Sequence, residues 1–230
     1  MGRRHVGLTG AANGGPDTRR PWGVLGGTFD PIHLGHLAVA EQTRQDLDLA
    51  GVLFIPAAQS PLKPERPVSP DTQRVAMVEL AIAGNEGFRV SRMEFDRPGP
   101  SYTVDTLVAL HAAGTIAGDG VPDPVLILSV ETLPALVHWR EPERLLDLCR
   151  VAIVPRRGYE GPQPGWLEAR FPRHADRFTM LDGPDLGPSA SDIRARIAAG
   201  RSIRYLVPDA VARYIDTYGL YGADGQVGGR

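Results

Sequence analysis

The run Gly23 to His36, GVLGGTFDPIHLGH, places two glycines and a threonine after a short apolar stretch, with two histidines three residues apart behind them. Each residue type has a chemical use. Glycines permit a sharp turn and let backbone N–H groups approach a ligand closely. A helix that starts just behind the turn offers unpaired N–H groups and the positive end of its dipole, which suits phosphate. His33 and His36 lie one helical turn apart, so both rings can face the same ligand. Gly26, Gly27, Thr28, Phe29, His33 and His36 therefore form the first candidate phosphate site. The same residue types also build an ordinary strand–helix turn; the complete string favours the site.

Such a site needs a strand before it and a helix after it, and the sequence supplies both repeatedly. WGVL (22–25), VLFI (52–55), VLIL (125–128) and VAIV (151–154) are continuous apolar runs, as expected of strands buried on both faces of a parallel sheet. FRVSRMEF (88–95) alternates instead, and FTML (178–181) is a weaker strand signal. Helical patterns follow the first motif through Leu37, Ala40 and Leu47 and recur over 72–83 and 103–113. SASDIRARIAAG (189–200) has a serine start and a glycine stop, and a last helix begins at about Pro208. This alternation predicts an α/β fold with a doubly wound parallel sheet and C-terminal helices. Ligands in such sheets sit outside the carboxyl ends of the strands. Residues 21–221 read as one domain, between a flexible extension at 1–20 and a flexible tail at 222–230. Five prolines between Pro56 and Pro70 predict an exposed loop there.

Composition narrows the function classes. The 230 residues are long enough for a sizeable core, with 42% hydrophobic and 23% charged residues. A net charge of −2 points to neither nucleic acid nor a membrane surface. One cysteine, Cys149, excludes an internal disulfide and a cysteine-based zinc site, and it fits a reducing cytoplasm. Cys149 itself reads as a buried apolar residue. No apolar run approaches the ~20 residues of a membrane helix. The N-terminal arginines lack the apolar stretch of a signal peptide. His5, His111, His138 and His174 have no partners at metal-ligand spacing and read as surface residues.

GGTFDPIHLGH resembles the signature of the His-x-Gly-His nucleotidyltransferase superfamily, and the chain from Trp22 to Tyr221 is similar to the bacterial nicotinate mononucleotide adenylyltransferases. The resemblance implies a Rossmann-like nucleotidyltransferase fold. It also implies a reaction in which the phosphate of nicotinate mononucleotide attacks the α-phosphorus of ATP and pyrophosphate leaves. That nucleophile is already an anion, so alignment and charge stabilisation are what such an enzyme supplies. Mg²⁺ arrives with ATP, and no carboxylate cluster in the sequence suggests a dedicated metal site.

Further motifs carry the resemblance. RPGPSYTVDTL (97–107) implies that Tyr102 and Thr103 lie near the nicotinate ring, while Asp105 and Thr106 hold the helix start and Ser101 or Thr103 caps it. Trp139 matches a tryptophan that stacks on the pyridine. Glu131, in Ser129-Val130-Glu131 where the family has Gly-x-Asp, is implied to bind a nucleotide sugar, or it complements a helix dipole. Arg156 or Arg157 lies at the ligand end of its strand, Arg156 matching better. Lys63 reaches a substrate phosphate or is an exposed loop lysine, with Leu62 where the family has histidine. PSASDIR implies a second phosphate clamp from Ser189, Ser191 and Arg194, with Ala190 replacing the middle hydroxyl.

SYTVDT and Trp139 argue against another phosphate acceptor such as phosphopantetheine. A dehydrogenase would need Gly-x-Gly-x-x-Gly after the first strand, which Gly-Gly-Thr is not. A silent nucleotide-binding protein would not need both histidines and Arg194.

Overall fold

The computed structural model describes residues 20–59, 68–114, 116, 120–184 and 187–222. Nearly all of the proposed extension (1–19) and tail (223–230), Leu62 and Lys63 lie outside them. Arg20, assigned by sequence to the extension, forms an ion pair with Asp48 at 3.1 Å.

Six strands form one sheet: β1 (Trp22–Gly27), β2 (Gly51–Pro56), β3 (Phe88–Val90), β4 (Val125–Ser129), β5 (Arg150–Val154) and β6 (Phe178–Met180). Their order is β3-β2-β1-β4-β5-β6, and every pairing is parallel. This is the doubly wound order, with the reversal between β1 and β4. The helices are α1 (Leu34–Asp46), α2 (Asp71–Ile82), α3 (Thr103–Ala113), α4 (Leu133–Leu136), α5 (Pro142–Leu148), α6 (Trp166–Arg170), α7 (Ala190–Ala198) and α8 (Asp209–Thr217). No described helix is long and apolar enough to cross a membrane.

The apolar runs are continuous because each strand feeds two cores. Leu25, Val52, Phe54, Val125, Ile127, Ala152 and Val154 pack on the face that carries Ala40 of α1, Met77 of α2, Ile193 of α7 and Val211 of α8. Val24, Leu53, Ile55, Leu126, Val151 and Ile153 pack on the opposite face, with Leu107 of α3, Leu136 of α4 and Leu145 of α5. Cys149 is buried there, its Sγ donating to the Leu145 carbonyl.

Three expectations change. The alternating run 88–95 is a strand only to Val90; its ladder ends where the Ser91 N–H reaches the Phe54 carbonyl, and Arg92–Phe95 forms a turn. That turn buries Glu94. Pro56 belongs to β2 and is buried rather than opening a loop. His174 is buried, its Nε2 2.7 Å from the Asp147 carboxylate, so it is no surface residue.

Candidate active site

The register between β1 and β4 runs through Gly23–Val125 and Val24–Leu126 and stops there. The strands part toward their carboxyl ends, which opens the crevice where doubly wound sheets bind ligands. Two cavities occupy it, of about 310 and 350 Å³, and Gly26, Leu128 and Trp139 line both. A Cβ on Gly26 would meet nothing within 4 Å, so the backbone there lies open to the crevice.

The first cavity is walled by His33, Gly35, His36, Glu131 and Arg156. His33 is the N-cap of α1. Its backbone N–H donates to His36 Nδ1 at 3.2 Å. A nitrogen that accepts carries no proton, so neutral His36 keeps its proton on Nε2, which is left as a donor. The two rings stack with centroids 3.7 Å apart and planes 20° apart. Gly35 leaves room beside the His33 ring: a Cβ there would stand 3.0 Å from His33 Nδ1. His33 Nδ1 is buried and has no hydrogen-bond partner among the described residues.

Burial, with help from the positive Arg156, pulls the His33 pKa down to about 4. His36 is held well below the ordinary histidine value by burial, then by His33 and Arg156. Both rings are therefore neutral N–H donors near pH 7. Arg156 donates to Glu131 Oε1 at 2.6 Å, so two residues given separate roles by sequence form one ion pair in the wall. Arg156, not Arg157, lines the cavity. Phe29 does not line it: its ring is buried against Phe54 and meets His36 edge-on, so only its backbone can face a nucleotide.

The second cavity is lined by Gly27, Thr28, Tyr102, Thr103 and Trp139, with Glu94, His138 and Arg140 as its ionisable residues. Neither Ser101 nor Thr103 caps α3; Tyr102 stands at the N-cap without a side-chain bond. Ser101 instead ties α3 to the exit of β2, its Oγ accepting from the Ala58 N–H and its own N–H donating to the Gln59 carbonyl. Thr106 donates to Glu94 Oε1 and accepts from Arg97 Nη2, both at 2.7 Å. Asp105 accepts from Arg140, whose guanidinium lies 4.8 Å from the Tyr102 ring centroid. Trp139 Nε1 is buried with no partner among the described residues.

Ser189, Ser191 and Arg194 line neither cavity. Ser189 caps α7 by accepting from the Asp192 N–H. Arg194 donates to Ser191 Oγ and to the Asp30 carbonyl, which fastens α7 to the loop between β1 and α1. Sequence reasoning missed Glu94, Arg140 and the residues behind that loop. A lone arginine at a core-facing position of α2, Arg74, was the available signal.

The family model described as cytidylyltransferase-like matches residues 24–196. With the parallel sheet and its two-part crevice, this defines the chain as a nucleotidyltransferase. A relative from Roseiflexus sp. strain RS-1, named "Probable nicotinate-nucleotide adenylyltransferase", is 47% identical over 87% of this chain and 98% of its own length. One of the same name from Herpetosiphon aurantiacus is 45% identical over 86% and 97%. A Plasmodium falciparum nicotinic acid mononucleotide adenylyltransferase, complexed with NaAD, shares the fold with a TM-score of 0.73 at 16% identity, over 91% of this chain and 100% of that one. The chain belongs to the nicotinate-nucleotide adenylyltransferase family.

Proposed function

We propose that the protein transfers the adenylyl group of ATP to nicotinate mononucleotide, giving deamido-NAD and pyrophosphate for NAD synthesis in the cytoplasm. The observation that carries this reading is the pair of cavities sharing Gly26, Leu128 and Trp139, one walled by the stacked histidines and the other by the start of α3. Two nucleotides bound there would meet across the end of β1. The names of the relatives agree with it.

An oxygen of the mononucleotide phosphate forms a bond to the α-phosphorus, and the bond from that phosphorus to the bridging oxygen breaks. No proton needs to be removed from the nucleophile. The chain holds both phosphates in line and stabilises the developing charge. His36 Nε2–H and His33 donate to the transferring phosphoryl oxygens, with the N–H groups of the Gly26–Phe29 turn beside them. Neutral donors suit this work, because they need not exchange protons during the step. His33, His36 and Arg156 supply N–H donors to the first cavity, and its one carboxylate, Glu131, is already held by Arg156. A divalent ion therefore fits as a passenger of the triphosphate, where Mg²⁺ would neutralise the leaving pyrophosphate. Arg194 and Ser191 bind the β- and γ-phosphates from the rim, and Lys63 binds the acceptor's phosphate. Tyr102 and Thr103 present N–H groups to the ring carboxylate, and Trp139 offers its flat face. Glu131 reaches a nucleotide sugar once Arg156 turns toward phosphate.

Purified protein supplied with ATP, Mg²⁺ and either nicotinate or nicotinamide mononucleotide tests this by pyrophosphate release. The acid is expected to have the higher kcat/KM. The second cavity contains one carboxylate, Glu94, that sequence did not place there. Equal kcat/KM for acid and amide would overturn the carboxylate pocket.

A further inference from the structure

We propose that Asp30 is a positioning residue that registers Arg194 against the two histidines, and that Arg74 and Tyr221 lock it in place. The proposal rests on reading the first cavity as a phosphate site, but it holds for any phosphate acceptor.

Asp30 lies in the loop between Phe29 and the start of α1 and is 3% exposed. Its backbone carbonyl accepts from Arg194 Nη1. Its carboxylate accepts from the Tyr221 hydroxyl at 2.6 Å and from the Ser69 N–H at 3.3 Å. Arg74, 2% exposed, donates to the carbonyls of Ser69 (2.9 Å), Ala57 (2.7 Å) and Thr28 (3.0 Å). The Ser69 backbone thus joins two buried opposite charges, its N–H donating to Asp30 and its carbonyl accepting from Arg74. Thr28 and Ala57 follow the ends of β1 and β2 and line the second cavity. One guanidinium therefore fixes both strand exits, and the Asp30 it braces links the two phosphate motifs through its carbonyl.

Backbone geometry supports the same reading. Phe29 and Tyr221 have φ of 48° and 64°, left-handed values that bulky side chains rarely adopt. Such conformations persist where their surroundings over-determine them. These two residues flank Asp30, one through the chain and one through the hydroxyl contact. Burial, then the Asp30 charge, keeps the Tyr221 phenol protonated, so it remains a donor. Asp30, Arg74 and Tyr221 line neither cavity, so they act through what they hold.

Donor alignment matters most when charge develops in transfer, whereas substrate affinity also draws on ring and sugar contacts that this network does not reach. Tyr221→Phe removes one oxygen and keeps the ring. It is expected to lower kcat about tenfold, the scale of one hydrogen bond to a charged group, with KM for ATP changed less than about twofold. Asp30→Asn should lower kcat at least as much, and the double variant should lose no more than Asp30→Asn alone, since both act through one carboxylate. Wild-type kcat in Tyr221→Phe, or losses that multiply in the double variant, would overturn the proposal. Should Asp30→Asn fail to fold, Tyr221→Phe alone decides. An inactive wild-type protein would instead overturn the phosphate-transfer reading itself.

Discussion

The two helix starts at the crevice are built alike and braced differently. At α1, the loop is tied down from behind by buried Arg74 and Asp30, and the histidines follow a turn whose Thr28 and Asp30 carbonyls are both held by arginines. At α3, the brace is a side-chain relay, Arg97 to Thr106 to Glu94, and the cavity wall beside it includes the exposed Arg140. The difference follows from the work each end would do. Phosphoryl transfer requires donors fixed to a fraction of an ångström, while ring selection tolerates a softer wall. Changes at α1 should therefore appear in turnover, and changes at α3 in affinity.

The largest effect is expected at His36. His36→Ala removes the proposed donor to the transferring phosphoryl group and should lower kcat by about 10² or more with the fold intact. Wild-type turnover in this variant would erase the contrast between the two helix starts.

Acid should expose the α1 side next. His33 has a folded pKa of about 4 against an ordinary 6.5, so the unfolded chain binds more protons between those values. Stability therefore rises with pH across that window and is lost as pH falls through it, by roughly 3 kcal/mol when complete. Denaturant melts of wild type and His33→Gln from pH 7 to pH 4 measure the difference; parallel curves would show that His33 titrates normally.

At α3, Thr106→Val leaves Glu94 and Arg97 without their shared hydroxyl. The expected cost is about 2 kcal/mol of folding stability, read as a lower Tm, with kcat per folded molecule little changed. A collapse of kcat at unchanged Tm would place this relay in the chemistry. Smaller again, Trp139→Ala should raise KM for the mononucleotide about tenfold, as the loss of one stacked ring does, while kcat holds. A larger rise in KM for ATP would assign the indole, which borders both cavities, to the other nucleotide.

Local sequence determined a great deal. Strand period, glycine placement and helix start signals depend on neighbours in the chain, so β1, β2, β4, β5 and the bounds of α3 were legible, as was the His-x-Gly-His turn. The alternating run after Phe88 misled because sheet pairing, not alternation, decides where a strand stops, and β3 loses its partner after Ser91. His174 misled because its burial comes from packing near α5, far along the chain. The resemblance named Glu131 and Arg156 separately. Only the fold set β4 beside β5 and brought the two within 2.6 Å. Likewise Asp30, Arg74, Arg194 and Tyr221 come from four separate segments. No local pattern encodes a hydrogen bond across 164 or 191 residues. Such contacts exist only once the sheet has fixed where each segment's end must lie.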